Sequence, residues 1–191
     1  YKPVIHIDPD WPLVKLGEVC EVISGQSPKG KYYNNHGQGT PFYQGKTQFS
    51  DMYLGSPKKW TTSETKIAIK NDMLMSVRAP VGPVNIATQR ICIGRGLAAI
   101  RPNPSKALVR FIFAYLQMIE EYITGSKGST FSSITNKGIK EILLPLPPLE
   151  TQQRIIEEIS GERKAIIANE QLIERFEKKI ADRINLVWKE G

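Results

Sequence analysis

Glu64-Thr65-Lys66 has the E-x-K form, and Asp51 precedes it in the same part of the chain. Two carboxylates can hold Mg²⁺ while a lysine helps activate water against a phosphodiester. The pattern is short, and Glu64 sits in TTSETK, a polar stretch that reads as a solvated loop. A nuclease site built from Asp51, Glu64 and Lys66 is therefore the weaker reading. Other reaction classes find less support. An adenine methyltransferase needs an Asn/Asp-Pro-Pro-aromatic motif, but Pro147-Pro148 lies between Leu146 and Leu149. Gly94-Arg95-Gly96 is not G-x-G-x-x-G and opens no helix. His6 and His36 are isolated from one another and from cysteine, and no Ser, Cys or Thr can be assigned a triad. The expectation is a chain with no catalytic residue and no metal site.

Residues suited to binding DNA are more numerous. Ser24-Gly25-Gln26-Ser27-Pro28-Lys29-Gly30-Lys31-Tyr32-Tyr33-Asn34-Asn35 reads as a flexible basic loop with two aromatics. Glycine lets backbone approach phosphates and lysine neutralises them, while Gln, Asn and Tyr can bond base edges. Gln44-Gly45-Lys46 ends a strand with a similar set, and Arg78 ends another before Ala79-Pro80. Lys127 stands among glycine and hydroxyl residues after a helix. The candidate interface is thus Gln26, Lys29, Lys31, Tyr32, Asn34, Gln44, Lys46, Arg78 and Lys127. Base readout falls to Gln26, Tyr32, Asn34, Gln44 and Arg78. Each loop taken singly could equally be a plain solvated turn.

The charge distribution favours the binding reading. The chain of 191 residues carries a net charge of +7. Residues 1–148 hold 18 Lys and Arg against 10 Asp and Glu, while residues 149–191 hold 8 against 9. All the excess positive charge lies on the first part, which suits a polyanionic partner such as double-stranded DNA. Two cysteines, Cys20 and Cys92, form neither a disulfide framework nor a CxxC pair, and read as small buried apolar residues in a reducing cytoplasm. No apolar run reaches membrane-spanning length, and the opening YKPVIHIDPD has no signal-peptide pattern. It also lacks an initiator Met, as a piece of a longer protein would.

The elements that must position these residues change character at Pro145-Leu146-Pro147-Pro148. Before it, short apolar runs at 20–24, 40–44, 73–78, 84–88 and 97–101 are punctuated by Gly and Pro. They are too closely spaced for βαβ crossovers and predict an irregular, mostly antiparallel β-rich body over residues 1–148. One helix interrupts it, with Asn103 as N-cap, Pro104 in the first turn and Gly125 at its end. Leu108, Phe111, Ile112, Tyr115, Leu116, Ile119 and Ile123 fall on one helical face and should meet the core. Ile142-Leu143-Leu144 reads as a last strand. The fold class is α+β.

Residues 149–191 read as one long coiled-coil-type helix. Ile155, Ile159, Ile166, Ile173, Phe176, Ile180, Ile184 and Val187 follow 3-4 spacing, with Asn169 in the same seam. Forty helical residues span about 60 Å, too far to lie wholly against a body of this size. The seam therefore calls for another helix. Asn169 could fix register there or face water at the seam's edge.

These same residues carry a family resemblance. The order is Trp11, Leu16-Gly17-Glu18-Val19, Ser24-Gly25-Gln26-Ser27-Pro28 and Tyr43-Gln44-Gly45. Asp72-Met73-Leu74-Met75-Ser76-Val77-Arg78-Ala79-Pro80-Val81-Gly82, Cys92-Ile93-Gly94-Arg95-Gly96-Leu97 and Leu144-Pro145-Leu146-Pro147-Pro148-Leu149-Glu150-Thr151-Gln152-Gln153 follow. Together they resemble a target-recognition domain and spacer helix from the specificity subunits of type I restriction–modification enzymes. The resemblance implies that the chain reads one half-site of a bipartite DNA target and directs methyltransferase and restriction subunits to it. It implies that S-adenosylmethionine, ATP and Mg²⁺ belong to those partner subunits. It also implies that a second recognition half, or a second copy of this chain, pairs with the long helix. A protein-interaction adaptor whose helix is its whole business is the third reading.

Overall fold

The computed structural model describes residues 2–123 and 133–189, with side chains through residue 185. Eleven short strands and five α-helices make up the described chain. In order they are β1 (Leu13–Lys15), α1 (Leu16–Val19), β2 (Cys20–Ser24), β3 (Tyr33–Asn34), β4 (Thr40–Tyr43), β5 (Trp60–Thr61), β6 (Ile67–Ala68), β7 (Met73–Ser76), β8 (Val84–Ile86), β9 (Ile91–Ile93), β10 (Leu97–Pro102), α2 (Val109–Met118), α3 (Glu120–Ile123), α4 (Asn136–Lys140), β11 (Leu143–Pro145) and α5 (Leu149–Lys189). The strands form a β1-β11 ribbon, a sheet ordered β2-β10-β7-β8, and a sheet ordered β3-β5-β4-β9-β6. Pairings are antiparallel except β4 with β9. The class is α+β, as the sequence predicts.

The alternation of residues along β10 explains the layering. Ala98 and Ile100 belong to one buried cluster, with α2 and the start of α5, whereas Leu97 and Ala99 belong to the other. The β10 strand thus has a core on each face, and its run LAAI is continuously buried. Cys20 and Cys92 are both buried free thiols, and burial pushes the Cys20 thiol up to about 12. A salt link inside this framework joins Arg101 to Asp72 at 2.7 Å and to Glu21 at 3.1 Å. Asp72 also accepts from the Ile69 N–H at 2.8 Å, so its buried carboxylate is satisfied.

The helix over residues 104–125 starts later than expected. Asn103 accepts from Ser105 N and Ser105 Oγ, and its carbonyl from Lys106 N and Ala107 N, so it closes a separate turn. The α2 helix begins at Val109, and the N–H of its N-cap Leu108 is satisfied from a distant element. Gln152 of α5, fully buried, accepts that N–H through Oε1 at 2.8 Å. Its Nε2 donates to the carbonyls of Lys106 and Pro147. One side chain therefore ties α2, the proline linker and α5 together. The predicted terminus at Gly125 lies outside the described residues.

Candidate nucleic-acid interface

Four chain segments converge at one end of the body because glycine lets their backbones touch. Gly25 N donates to Leu97 O and Gln26 N to Ile93 O, joining the end of β2 to the β9–β10 turn. Gly94 N donates to Tyr43 O and Gly96 N to Gln44 O, adding the end of β4. Val77 N donates to Gly96 O, adding the end of β7. A Cβ on Gly25 would stand 2.1 Å from Gly94 O, and one on Gly96 would stand 2.5 Å from Gln44 O. Both obstacles are backbone atoms, so no larger residue fits without moving strands.

Side chains decorate this knot. Ser27 Oγ donates to Gln44 Oε1 at 2.9 Å and accepts from Arg95 N at 3.2 Å. Gln26, Gln44, Arg78 and Arg95 are exposed. Arg78 and Arg95 line a cleft with Ser24, Gly25, Ser133, Ile134, Thr135 and Asn136. Elsewhere in the body, Arg90 pairs with Glu64 and Arg101 with Asp72 and Glu21, while Arg110 hydrogen-bonds Ser160. Neither Arg78 nor Arg95 makes an ion pair among the described residues. Two unneutralised guanidiniums in one cleft attract an anion or an acceptor-rich edge. Gln26, Gln44 and Arg78, which the sequence singled out, are thus brought together. Arg95 and Ser27, which the sequence reading did not single out, join them. The signal for Arg95 was its place between two glycines, with apolar strands on both sides.

The neighbouring basic loop is more ordered than the sequence suggests. Gly30–Tyr32 forms a 3-10 turn, and β3 follows at once, paired with β5. Tyr33 stacks on Phe42 with ring centres 4.8 Å apart and donates to Pro28 O. Desolvation raises the Tyr33 hydroxyl above its usual range, opposed by Ser27 and by the Arg95 charge. Lys29 and Lys31 are exposed, with Lys31 Nζ 5.0 Å from the Tyr32 ring centre. Lys46 is exposed in the 3-10 turn after β4. Asn34 is half-buried; its Nδ2 donates to Gln38 O and its Oδ1 accepts from Gln38 N. That amide clasps its own turn, a structural role that competes with base reading. Lys127 lies outside the described residues.

The nuclease constellation does not assemble. Glu64 is held by both guanidinium nitrogens of Arg90 and by the Thr40 hydroxyl, which bring its carboxyl down to about 2. Asp51 pairs instead with Arg163 on α5. Their carboxylates serve two different ion pairs, and no cluster of three metal-ligating acidic, His or Cys residues exists among the described residues.

The α5 helix begins at Leu149, but its predicted seam divides in two. Ile155 is buried in the body's core and Ile159 packs against it, so these two are not open to a partner. The linker fixed by Gln152 lays the first turns on α2, which sequence periodicity could not reveal. Ile166 is half-buried, whereas Asn169, Ile173, Phe176, Ile180 and Ile184 are exposed. Ile167 and Leu172 are exposed as well. The Val187 side chain lies outside the described residues.

Comparison with known proteins agrees with this architecture. Residues 9–178 match the family described as type I restriction modification DNA specificity domain. The chain is 41% identical over 187 residues to a protein of Methanocaldococcus jannaschii provisionally named the MjaX type I restriction enzyme specificity subunit. That match covers 95% of this chain and 43% of the relative. A crystal structure of the HsdS subunit from Thermoanaerobacter tengcongensis is similar with TM-score 0.76 and 40% identity, over 87% of this chain and 40% of that one. The S subunit of a type I restriction-modification system from M. genitalium shares the fold, with TM-score 0.63 and 17% identity over 91% of this chain and 45% of that one. The chain spans less than half the length of these relatives. With its match over most of its length, this chain belongs to the type I restriction–modification DNA specificity domain family.

Proposed function

We propose that the chain reads one half-site of a bipartite DNA target and directs methyltransferase and restriction subunits to it, contributing no catalytic residue itself. The observation that carries this reading is the glycine-knotted end, where Gln26, Gln44, Arg78 and Arg95 are exposed on a rigid base. Rigid placement matters because base edges are discriminated by hydrogen bonds of narrow geometry. Lys29, Lys31 and Lys46 would supply phosphate attraction that fixes position without carrying sequence information. S-adenosylmethionine, ATP and Mg²⁺ would serve the partner subunits.

The exposed outer part of α5 supports pairing with another helix, either in a second recognition half or in a second copy of this chain. An antiparallel pair would set the two recognition bodies apart, so that helix length measures the gap between half-sites. The two-fold version would read an inverted repeat. No helix in the described chain is long and apolar enough to cross a membrane, which fits the cytoplasmic setting such a system needs.

Selection from random-sequence duplexes tests the reading. The chain, alone and with the methyltransferase subunit, should enrich one short motif at moderate salt. Retention of all sequences alike would refute it. Changing Lys29 and Lys31 to Ala should flatten the salt dependence by up to roughly two units of log–log slope without altering the motif.

A further inference from the structure

We propose that Arg95 is a specificity-determining residue that reads the major-groove edge of a guanine; the inference rests on the DNA-reading function above. Its backbone is immobilised on every side. Arg95 N donates to Ser27 Oγ, Gly94 N to Tyr43 O, and Gly96 N to Gln44 O. Leu97 N closes the turn on Gly94 O at 3.0 Å. The turn rises between two strands whose flanking residues Ile93 and Leu97 are buried. An exposed guanidinium on so rigid a mount loses little backbone freedom on binding, which is what precise readout requires.

The rigid mount and the fork geometry of Arg95 suit a base edge. Arg95 has no carboxylate partner among the described residues, so its donors are available. A guanidinium fork matches the O6 and N7 acceptors of guanine.

The test is duplex selection with wild type, Arg95→Ala and Arg95→Lys, each first checked for an unchanged melting curve. The wild-type motif should contain a guanine whose preference falls roughly 5- to 150-fold in Arg95→Ala, the range of a good bidentate contact, and less in Arg95→Lys, whose ammonium still reaches O6 and N7. The lysine variant guards against a folding defect and should keep the wild-type salt slope. Replacing that guanine with 7-deazaguanine should weaken wild-type binding and leave Arg95→Ala nearly insensitive. A uniform loss of affinity with the motif intact would make Arg95 a phosphate contact and overturn the proposal. Unchanged affinity and motif would remove the residue from the interface. If wild type enriches no motif, the DNA-reading function itself fails, a result distinct from either.

Discussion

Over its first three turns, helix α5 is part of the body: Ile155 and Ile156 are 9% and 7% exposed, and Gln152 is fully buried. Past Lys164 the same helix carries the same kind of apolar spacing into solvent, with Ile173, Phe176, Ile180 and Ile184 each about half exposed. Nothing in local pattern separates the two stretches. What separates them is reach: the α2 helix and the N-terminal segment cover the near part, and no described element covers the far part. A periodic stripe therefore says that a face will be covered without saying by what. Covered from within, it contributes to folding; left bare over several turns, it calls for a partner.

The sharpest way to break this contrast is a charge on each side. Ile156→Asp buries an unpaired carboxylate and should cost more than about 4 kcal/mol, or prevent folding, as read by urea denaturation. Ile180→Asp should change the stability of the monomeric body by no more than about 0.5 kcal/mol. Near-equal costs would mean that the two stretches are not different environments.

On the far side, the effect should be on assembly. Each buried aliphatic side chain is worth roughly 1.5–3 kcal/mol, so Ile166→Asp with Ile173→Asp should abolish pairing of two copies. Light scattering on wild type and this double variant decides it. A wild-type monomer at high micromolar concentration would leave the second recognition half as the cover for the stripe.

Gln152 sharpens the near side. Gln152→Ala strands the Leu108 N–H and the carbonyls of Lys106 and Pro147. A loss of about 1–3 kcal/mol is expected in the same denaturation experiment. The smallest effect belongs to the exposed Glu64–Arg90 pair. Because Glu64 titrates near 2 in the folded chain rather than near 4.5, its contribution is present above about pH 4.5 and is lost as pH falls towards 2. Exposure holds it below about 1 kcal/mol, so Glu64→Gln should be slightly destabilising at pH 7 and nearly neutral near pH 2. Unaltered DNA binding and, in the assembled complex, unaltered cleavage should accompany it.

The β-rich body, the change at Pro145–Pro148 and the long helix were legible because each leaves a mark along the chain. Strand β2 falls at the expected 20–24, and β4, β7, β8 and β10 begin at the first residues of the runs at 40–44, 73–78, 84–88 and 97–101. Strands β3, β5 and β6 were not legible: at two residues each they are held by partners far away in sequence, with no periodicity to detect. The start of α2 was misplaced because its N-terminal bond comes from Gln152, and no local rule anticipates a cap from another helix. Gln26, Gln44 and Arg78 were singled out by residue type near strand ends, and the structure gathers them at one end of the body. Arg95 was not singled out because G-R-G was weighed as a nucleotide loop and as a family motif, and the clasp that Asn34 makes on its own turn leaves no mark in the sequence.

Whether this chain supplies sequence preference to a DNA-modifying complex is decided by methylome sequencing of a host carrying the intact system, with and without this gene. Methylation should disappear from one bipartite sequence, with a fixed gap between its halves, when the gene is removed. A methylation pattern identical in both strains would refute the proposed role.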